Sequence, residues 1–374
     1  MKIAYLLGSL NRGGTETLLL DVFRNAKANQ LNAIGIYRKG GVFEEEFLNS
    51  GVKMIKLSFK KIPLFYLFRL RSILLANKID IAHAQQPIDA LYAWIATIAT
   101  PVKVVLTLHG YDMKSSRFNL LILRFILNYT GKNIYVSNTQ KNYYSEKYKL
   151  DPDKQILIYN GISFSKLDGI LDKSRNDSLR SELNIGQDTH LIGSVGNFVE
   201  VRDQLTLCRF FDLLQKKNID FHAVFIGKSS ESSPHLFQQC VDFCALNNLS
   251  NKVTFLGSRS DVPSILHQLD SFVYASDHDT FGIAVIEAMA CSVPTFVNDW
   301  GVMKEITENG KFATLYTTKD SEDLFVKFWS YLSNKNFYEQ SAKNASDFVR
   351  EKYCIENHIN DLKSLYKICI RANE

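Results

Sequence analysis

The chain has 374 residues, 46% of them apolar and 22% charged, with 19 glycines, 7 prolines and 6 cysteines. That length predicts about two domains, and the composition excludes a disordered tail, a collagen, a coiled coil and a disulfide scaffold. The net charge of +5 is uneven: residues 1–150 hold 21 Lys/Arg against 9 Asp/Glu, whereas residues 151–374 hold 23 against 30. A basic front half and an acidic back half imply domains with different partners, the basic one suited to nucleic acid, an anionic membrane or an anionic small molecule. Apolar runs fall short of the roughly 20 residues a membrane span needs. The opening MKIAYLLGSLN has neither an apolar h-region nor a cleavage site, so no signal peptide is expected. Cys208, Cys240, Cys244, Cys291, Cys354 and Cys369 lie mostly in apolar patterns and read as buried free thiols of a reducing cytosol.

In chain order, the bounded apolar run Lys2–Leu7 reads as a buried strand. The loop Ser9–Glu16 follows, then a helix from Thr17, a strand at Ala33–Tyr37 and a helix near Phe43–Asn49. A strand at Val52–Leu57, a helix at Leu64–Asn77, and strands at Ile79–His83, Val102–Thr107, Asn133–Val136 and Gln155–Tyr159 complete the first half. After Asn160-Gly161, the polar Ser165–Asp188 reads as a linker with a connecting helix. A second alternating series has strands at Leu191–Val195, His222–Ile226, Lys252–Phe255, Ser271–Tyr274 and Pro294–Val297, with a last short one at Ala313–Tyr316. Asp347–Ile370 reads as one or two helices with basic ends. Strands alternating with helices, without hairpin signals, predict parallel sheets covered on both faces. The architecture expected is α/β: two doubly wound Rossmann-like domains facing across a cleft, with ligands at the carboxyl ends of the strands.

Four stretches carry candidate chemistry. Gly13-Gly14-Thr15-Glu16 sits between a strand and a helix, where glycines and free amides admit an anion; a simple turn is the alternative. It is neither a P-loop nor a dinucleotide G-x-G-x-x-G. In Thr107-Leu-His109-Gly110 the histidine ends an apolar strand and would point into the ligand crevice, unless it is an ordinary surface histidine. Gly196-Asn197 ends another strand, and Arg202 nearby could fork onto a phosphate or simply pair with Asp203. Finally, Asp277-His278-Asp279-Thr280-Phe281-Gly282-Ile283 leads into an apolar helix with one acid, Glu287. A carboxylate there needs a partner: a ribose diol, or a Lys or Arg. The Phe281–Ile283 amides at that helix start suit phosphate oxygens. Asp277, His278 and Asp279 have no second ligand group at metal spacing, so no metal is expected. Cys240 and Cys244 share a helix face with no further ligand near in sequence, so packing is favoured over zinc. These parts suit a nucleotide diphosphate.

Those residues, in that order, resemble the retaining GT-B glycosyltransferases of glycosyltransferase family four, over nearly the whole chain. Gly13-Gly14-x-Glu16 is similar to the family's donor loop, Thr107-x-His109-Gly110 to its strand-end histidine, and Asn160-Gly161 to its interdomain Asn-Gly. Asp279-x7-Glu287, with Phe281-Gly282 inside, is similar to its E-x7-E signature. Asp279 in place of Glu, Gly196-Asn197 in place of Gly-Arg, Arg202 in place of Lys and Gly227-Lys228 in place of Gly-x-Gly depart from the pattern. The resemblance implies an acceptor domain over residues 1–165, a nucleotide-sugar domain over 166–350 and a C-terminal helix, 351–374, packing back on the first. It implies a retaining front-face transfer, without metal or cofactor, from a nucleotide sugar, UDP favoured on family frequency. His109, Asp279 and Arg202 take the catalytic roles. Gly13, Gly14, Glu16, Gly196, Asn197, Arg202, Lys228, Arg259, Phe281, Gly282, Ile283 and Glu287 bind the donor. His109 touches the sugar, Asp279 a sugar hydroxyl and Glu287 the ribose diol, while domain closure excludes water.

Two stretches, Ser58–Arg71 and Arg117–Tyr129, mix cations with large apolar residues. They read equally as anionic-membrane contacts and as core helices with snorkelling charges. Membrane contact would suit a glycan or lipid-linked glycan acceptor in surface polysaccharide assembly. The expected location is the cytoplasm, with peripheral attachment to the membrane's cytoplasmic face. A sugar-nucleotide epimerase of related architecture and a non-catalytic nucleotide-binding partner subunit are the competing readings. A nucleic-acid binder is disfavoured, because the basic half has no helix-turn-helix, zinc finger or aromatic RNA-binding motif.

Overall fold

The computed structural model describes residues 1–58, 63–112, 116–171 and 178–371. They form two compact units, Met1–Ser163 with Tyr353–Glu374, and Phe164–Lys352.

The N-terminal unit runs β1 (Ile3–Ser9), α1 (Gly14–Ala26), β2 (Ala33–Lys39), α2 (Glu44–Leu48), β3 (Lys53–Lys56), α3 (Pro63–Ala76) and β4 (Ile81–Ala84). Then come α4 (Pro87–Ala96), β5 (Lys103–Leu108), α5 (Arg117–Tyr129), β6 (Lys132–Tyr135), α6 (Asn138–Tyr148) and β7 (Gln155–Leu157). All seven strands are parallel, in the order β3-β2-β1-β4-β5-β6-β7. Alternation splits the core in two. Ile3, Tyr5 and Leu7 of β1 pack with Leu19 and Phe23 of α1, whereas Ala4 and Leu6 pack with α3, α4 and α5. Helix α4 has no counterpart among the sequence-based expectations. Its sequence, PIDALYAWIA, is apolar nearly all round, so it shows no periodicity; it lies between α3 and α5. Of the Ser58–Arg71 stretch, residues 59–62 lie outside the described residues.

The second unit follows α7 (Ser165–Leu171) and α8 (Ser178–Leu183) with β8 (His190–Val195), α9 (Gln204–Lys216), β9 (Phe221–Ile226), α10 (Pro234–Leu246) and β10 (Val253–Gly257). It continues with α11 (Val262–Leu266), β11 (Ser271–Tyr274), α12 (Ile283–Ala290), β12 (Thr295–Asn298), α13 (Gly301–Ile306), β13 (Thr314–Tyr316), α14 (Ser321–Ser333) and α15 (Lys335–Lys352). Six parallel strands take the order β10-β9-β8-β11-β12-β13. The expected linker over Ser165–Asp188 therefore holds two short helices, with residues 172–177 outside the described ones. Cys208, Cys240 and Cys244 are free thiols within the aromatic core of Phe210, Phe211 and Phe225. Cys291 and Cys354 are only half-buried.

Asp347–Ile370 divides at Tyr353-Cys354. α15 ends in the second unit, and α16 (Ile355–Arg371) returns to the first. Ile162 N–H donates to Tyr353 O at 2.8 Å, and Ile355 N–H to Ile162 O at 3.1 Å. Gly161 is needed there. A Cβ would sit 2.7 Å from the His358 Cβ and 2.8 Å from the Ile355 Cα, closer than atoms pack. Beyond that point Ile355, Ile359 and Leu362 join the core under α1, where each full burial is worth about 1.5–3 kcal/mol.

A buried polar line then ties α16 to three strands. His83 Nδ1 lies 2.6 Å from the Tyr366 hydroxyl, and its Nε2 2.7 Å from the Thr107 hydroxyl. The Tyr366 hydroxyl donates to that of Tyr5 at 3.0 Å. On the same helix, His358 Nδ1 lies 2.7 Å from the Tyr159 carbonyl, so Nδ1 carries the proton. Burial, the dominant cause, pushes the His358 imidazole down to about 4 and His83 well below its ordinary range. The unfolded chain therefore binds protons near pH 6.5 that the folded unit refuses, and stability falls as pH drops below that value, by up to about 1.4 kcal/mol per pH unit per histidine. Urea unfolding at pH 7 and pH 5 is expected to show a smaller acid-induced loss in His358→Gln than in the wild type.

Candidate functional site

In both sheets the strand order reverses beside the first strand, at β1/β4 and at β8/β11. Crossovers leave in opposite directions from such a point and open a crevice at the carboxyl ends. Most of the expected residues stand at one or other of these edges.

In the second unit, backbone hydrogen bonds join the loops leaving β8 and β11. Asp203 N–H donates to Ala275 O at 3.2 Å, and Asp277 N–H to Val201 O at 3.0 Å. The Ser276 hydroxyl donates to Val201 O at 2.8 Å. Asn298, at the end of β12, braces the same loop: its carbonyl accepts from Ser276 N–H and its amide donates to Ser276 O, both at 2.9 Å. The turn after β8 is similarly fixed, since Lys228 N–H donates to the Asn197 Oδ1 at 3.0 Å and Phe198 N–H to Lys228 O. Gly227 has φ +153°, and a Cβ there would overlap the Gly196 carbonyl. Only glycine lets the two turns meet.

This framework places Arg202 against Asp279. The guanidinium Nη1 donates to Asp279 Oδ2 at 2.8 Å, and the guanidinium lies 4.5 Å over the Tyr274 ring. The Tyr274 hydroxyl donates to the same carboxylate oxygen. Phe281 N–H approaches Asp279 Oδ1 at 3.5 Å. The pairing of Arg202 with Asp203 considered from sequence is therefore replaced. Asp203 caps α9, accepting from Thr206 N–H at 3.3 Å and from its hydroxyl at 2.6 Å. The strand-end Tyr274 and Asn298 were missed from sequence, being buried strand residues with no motif around them. Lys319 was missed as well; it holds Asp277 at 2.7 Å from a loop more than 40 positions away in sequence.

Helix α12 begins at Gly282, whose φ of +87° is the left-handed region that favours glycine. Val285, Ile286, Ala288 and Met289 are buried, while Ile283, Ala284 and Glu287 form the half-buried stripe. Glu287 thus occupies the one accessible face of an otherwise core helix. At the far end, the Ala290 carbonyl accepts from the Ser346 hydroxyl at 2.8 Å and from Arg350 Nη2 at 3.0 Å. A cation on the helix C-terminus complements the dipole whose positive end faces Gly282.

Arg259 is placed differently from Arg202. Its donors bond Glu182 at 2.7 and 3.0 Å and Asp261 at 2.8 and 2.7 Å. Four of the five guanidinium N–H groups are thereby occupied. Lys228 is exposed, with only its backbone in the turn.

At the edge of the first sheet, His109 is half-buried and Nε2 lies 2.8 Å from the Gln85 side-chain carbonyl oxygen. Nε2 therefore carries the proton. Burial, with His358 contributing, depresses the imidazole to about 3, so His109 is neutral at pH 7. Gln85 was not anticipated, although it follows β4 at the reversal point; its backbone N–H donates to Leu6 O at 3.3 Å. Gly13 is the extended N-cap of α1, at φ −160°, and the Glu16 carboxylate folds over it. Burial raises the Glu16 carboxyl above its ordinary range. Gly14 opens α1, a helix of 13 residues with its free amides at this edge. Among the described residues, no group of three or more His, Cys, Asp or Glu could hold a metal ion, and no helix is long and apolar enough to cross a membrane.

Residues 175–348 match the family model described as glycosyl transferases group 1, and residues 12–166 match glycosyltransferase family 4. An N-acetyl-alpha-D-glucosaminyl L-malate synthase of Bacillus anthracis is 23% identical over 305 residues, covering 80% of this chain and 77% of that one. An Escherichia coli UDP-Gal:alpha-D-GlcNAc-diphosphoundecaprenol alpha-1,3-galactosyltransferase is 22% identical over 309 residues, covering 80% and 78%. In fold, the chain is similar to Anabaena HepE, solved in complex with UDP and glucose, at TM-score 0.85 and 18% identity over 98% of this chain and 99% of that one.

Since the Gly196–Gly227 contact joins the turns after β8 and β9, Gly227→Ala is expected to destabilise the chain by about 2 kcal/mol or more and to shift the turn carrying Asn197. Urea unfolding checks the first expectation, and amide chemical shifts around Gly196 and Lys228 the second.

Proposed function

The chain belongs to the group 1 glycosyltransferases, with the GT-B pair of Rossmann-like domains, and we propose that it moves a sugar from a UDP-sugar to a glycan or lipid-linked glycan with retention of configuration. The observation that carries this reading is the edge of the second sheet, where Arg202, Asp279, the start of α12 and Glu287 are built into one rigid framework. The second unit holds the nucleotide sugar, and the first holds the acceptor. UDP is favoured by the UDP-galactose in the name of the E. coli relative and by the UDP bound to HepE.

The roles follow from charge and geometry. Glu287, on the accessible face of α12, accepts from the two ribose hydroxyls. Arg202 and the Phe281–Ile283 amides receive the diphosphate as its charge grows, assisted by the positive end of α12. Lys228 adds a mobile cation at the rim. Asp279 positions Arg202 and Tyr274. Neutral His109, held by Gln85, hydrogen-bonds a sugar hydroxyl at the edge of the first sheet. Gly13, Gly14 and Glu16 form the loop that the family resemblance assigns to the donor. In the transfer, the bond from the anomeric carbon to the diphosphate oxygen breaks, and the acceptor hydroxyl oxygen bonds that carbon on the same face. The departing phosphate oxygen takes the hydroxyl proton. No carboxylate nucleophile and no divalent ion is required. A hexose or N-acetylhexosamine is the expected cargo.

Thermal-shift titration with UDP-, GDP-, ADP- and TDP-sugars, with and without EDTA, tests the donor site, because a ligand of the folded state raises the melting temperature by mass action. A shift with one UDP-sugar, unchanged by EDTA and lost in Glu287→Ala, is expected. Arg202→Ala is expected to lower kcat about 100- to 1000-fold, as loss of a charge-stabilising donor does. No shift with any nucleotide sugar from folded protein defeats the reading, and an epimer formed without acceptor replaces transfer by epimerisation.

A further inference from the structure

The positive charge at one corner of the first sheet's carboxyl edge has no counterpart in the fold. Arg12 is exposed on the loop between β1 and α1. Backbone contacts fix that loop against the one that follows β2. Phe43 N–H donates to Leu10 O at 2.9 Å. A Cβ on Gly41 would stand 2.4 Å from the Leu10 carbonyl carbon and 2.5 Å from the Asn11 nitrogen, so glycine alone permits the junction. Arg12 leaves it with its guanidinium carbon 5.2 Å from the centre of the buried Phe43 ring. Stacking holds the planar face of the guanidinium and leaves its N–H edge for another partner.

Among the described residues, no carboxylate takes that edge. The acids of this corner are engaged elsewhere. Glu44 accepts from Lys56 Nζ at 2.9 Å and from the Tyr37 hydroxyl at 2.8 Å. Glu46 pairs with Arg24 at 2.7 Å, and the Glu16 carboxylate lies against Gly13. Lys39 ends β2 in register with Ser9 of β1; it is exposed and forms no ion pair among the described residues either. Arg38, one position earlier, differs in being held by buried Asp89 at 2.8 Å. Strand order also separates this corner from the groups proposed to meet the transferred sugar. Gln85 and His109 follow β4 and β5 on one side of β1, whereas Phe43 draws Arg12 toward β2 on the other.

We infer that Arg12, with Lys39 adding charge at the same corner, binds an anionic group on the acceptor, a phosphate or a carboxylate, and so restricts the first unit to acidic acceptors. The guanidinium edge matches either group in a forked geometry. The inference rests on the transferase reading above, in which the first unit holds the acceptor. The donor's diphosphate is the other source of such an anion, and competition with UDP separates the two.

Isothermal titration of the full chain with inorganic phosphate, pyrophosphate and malonate, with and without saturating UDP, tests it. Anion binding that persists beside UDP and weakens with salt is expected. Arg12→Gln is expected to lower that affinity about tenfold or more, as loss of a charged hydrogen-bonding group does, and Lys39→Gln to lower it less. The thermal shift with UDP stays as in the wild type in both variants, which also shows that they fold. Anion binding abolished by UDP assigns Arg12 to the donor and overturns the inference. Unaltered anion affinity in Arg12→Gln overturns it as well. UDP binding with no anion bound beside it defeats this inference alone, whereas absence of UDP binding defeats the transferase reading on which it rests.

Discussion

The candidate site depends on one constraint: two backbone turns at the carboxyl edge of the second sheet must touch. Strand order reverses beside β8, so the loops after β8 and β11 leave in different directions and would diverge without a tie. The pairs Asp203–Ala275 and Asp277–Val201 supply that tie, while Gly227 fixes the first loop to the turn after β9, admitting the Gly196 carbonyl where any Cβ would collide. Once these are made, Arg202 has little freedom left, because its backbone is bridged to Ser276 and its head is held between Tyr274 and Asp279. Rigid backbone, more than any side chain, determines where charge stands at this edge.

Much of the architecture was legible because parallel sheets covered on both faces have a plain pattern: short apolar strands spaced by helices. Strand ends differed by only a residue or two, as at Val102–Thr107 against Lys103–Leu108. The failures have a common physical cause. Helix α4 was invisible because burial among neighbouring helices removes the polar face that periodicity needs. The return of α16 could be expected only from the family resemblance. The close approach that makes it possible, Gly161 against Ile355 and His358, joins residues nearly 200 positions apart in sequence.

The site was legible at its acids and glycines and illegible in its pairings. Asp279, Glu287 and Gly282 stood out because charge and turn residues interrupt an apolar run. Nothing in the local sequence could choose between Asp203 and Asp279 for Arg202, since both lie where a loop can bring them. The structure decides through capping: Asp203 satisfies the start of α9, which removes it as a partner. Tyr274 and Gln85 were hidden for a related reason. Each is an ordinary residue at a strand end, and only the reversal of strand order gives that place meaning.

The Arg202–Asp279 pair has a consequence for how an anion would be held. A guanidinium already joined to a carboxylate contributes little net charge over distance, and its remaining N–H groups act only at contact. For an anion held there, the long-range pull would come from the N-terminal end of α12, the positive end of its helix dipole. That end is strengthened from the opposite side of the helix, since Arg350 and Ser346 hold the Ala290 carbonyl and in that way anchor the dipole. In the proposed donor site, capture would fall to backbone amides and orientation to the arginine. The restraint of Arg202 by Asp279 and Tyr274 lowers the conformational entropy it would lose on meeting a diphosphate. The aspartate in place of glutamate at 279 therefore reads as part of a shorter, stiffer arrangement that keeps the arginine ready.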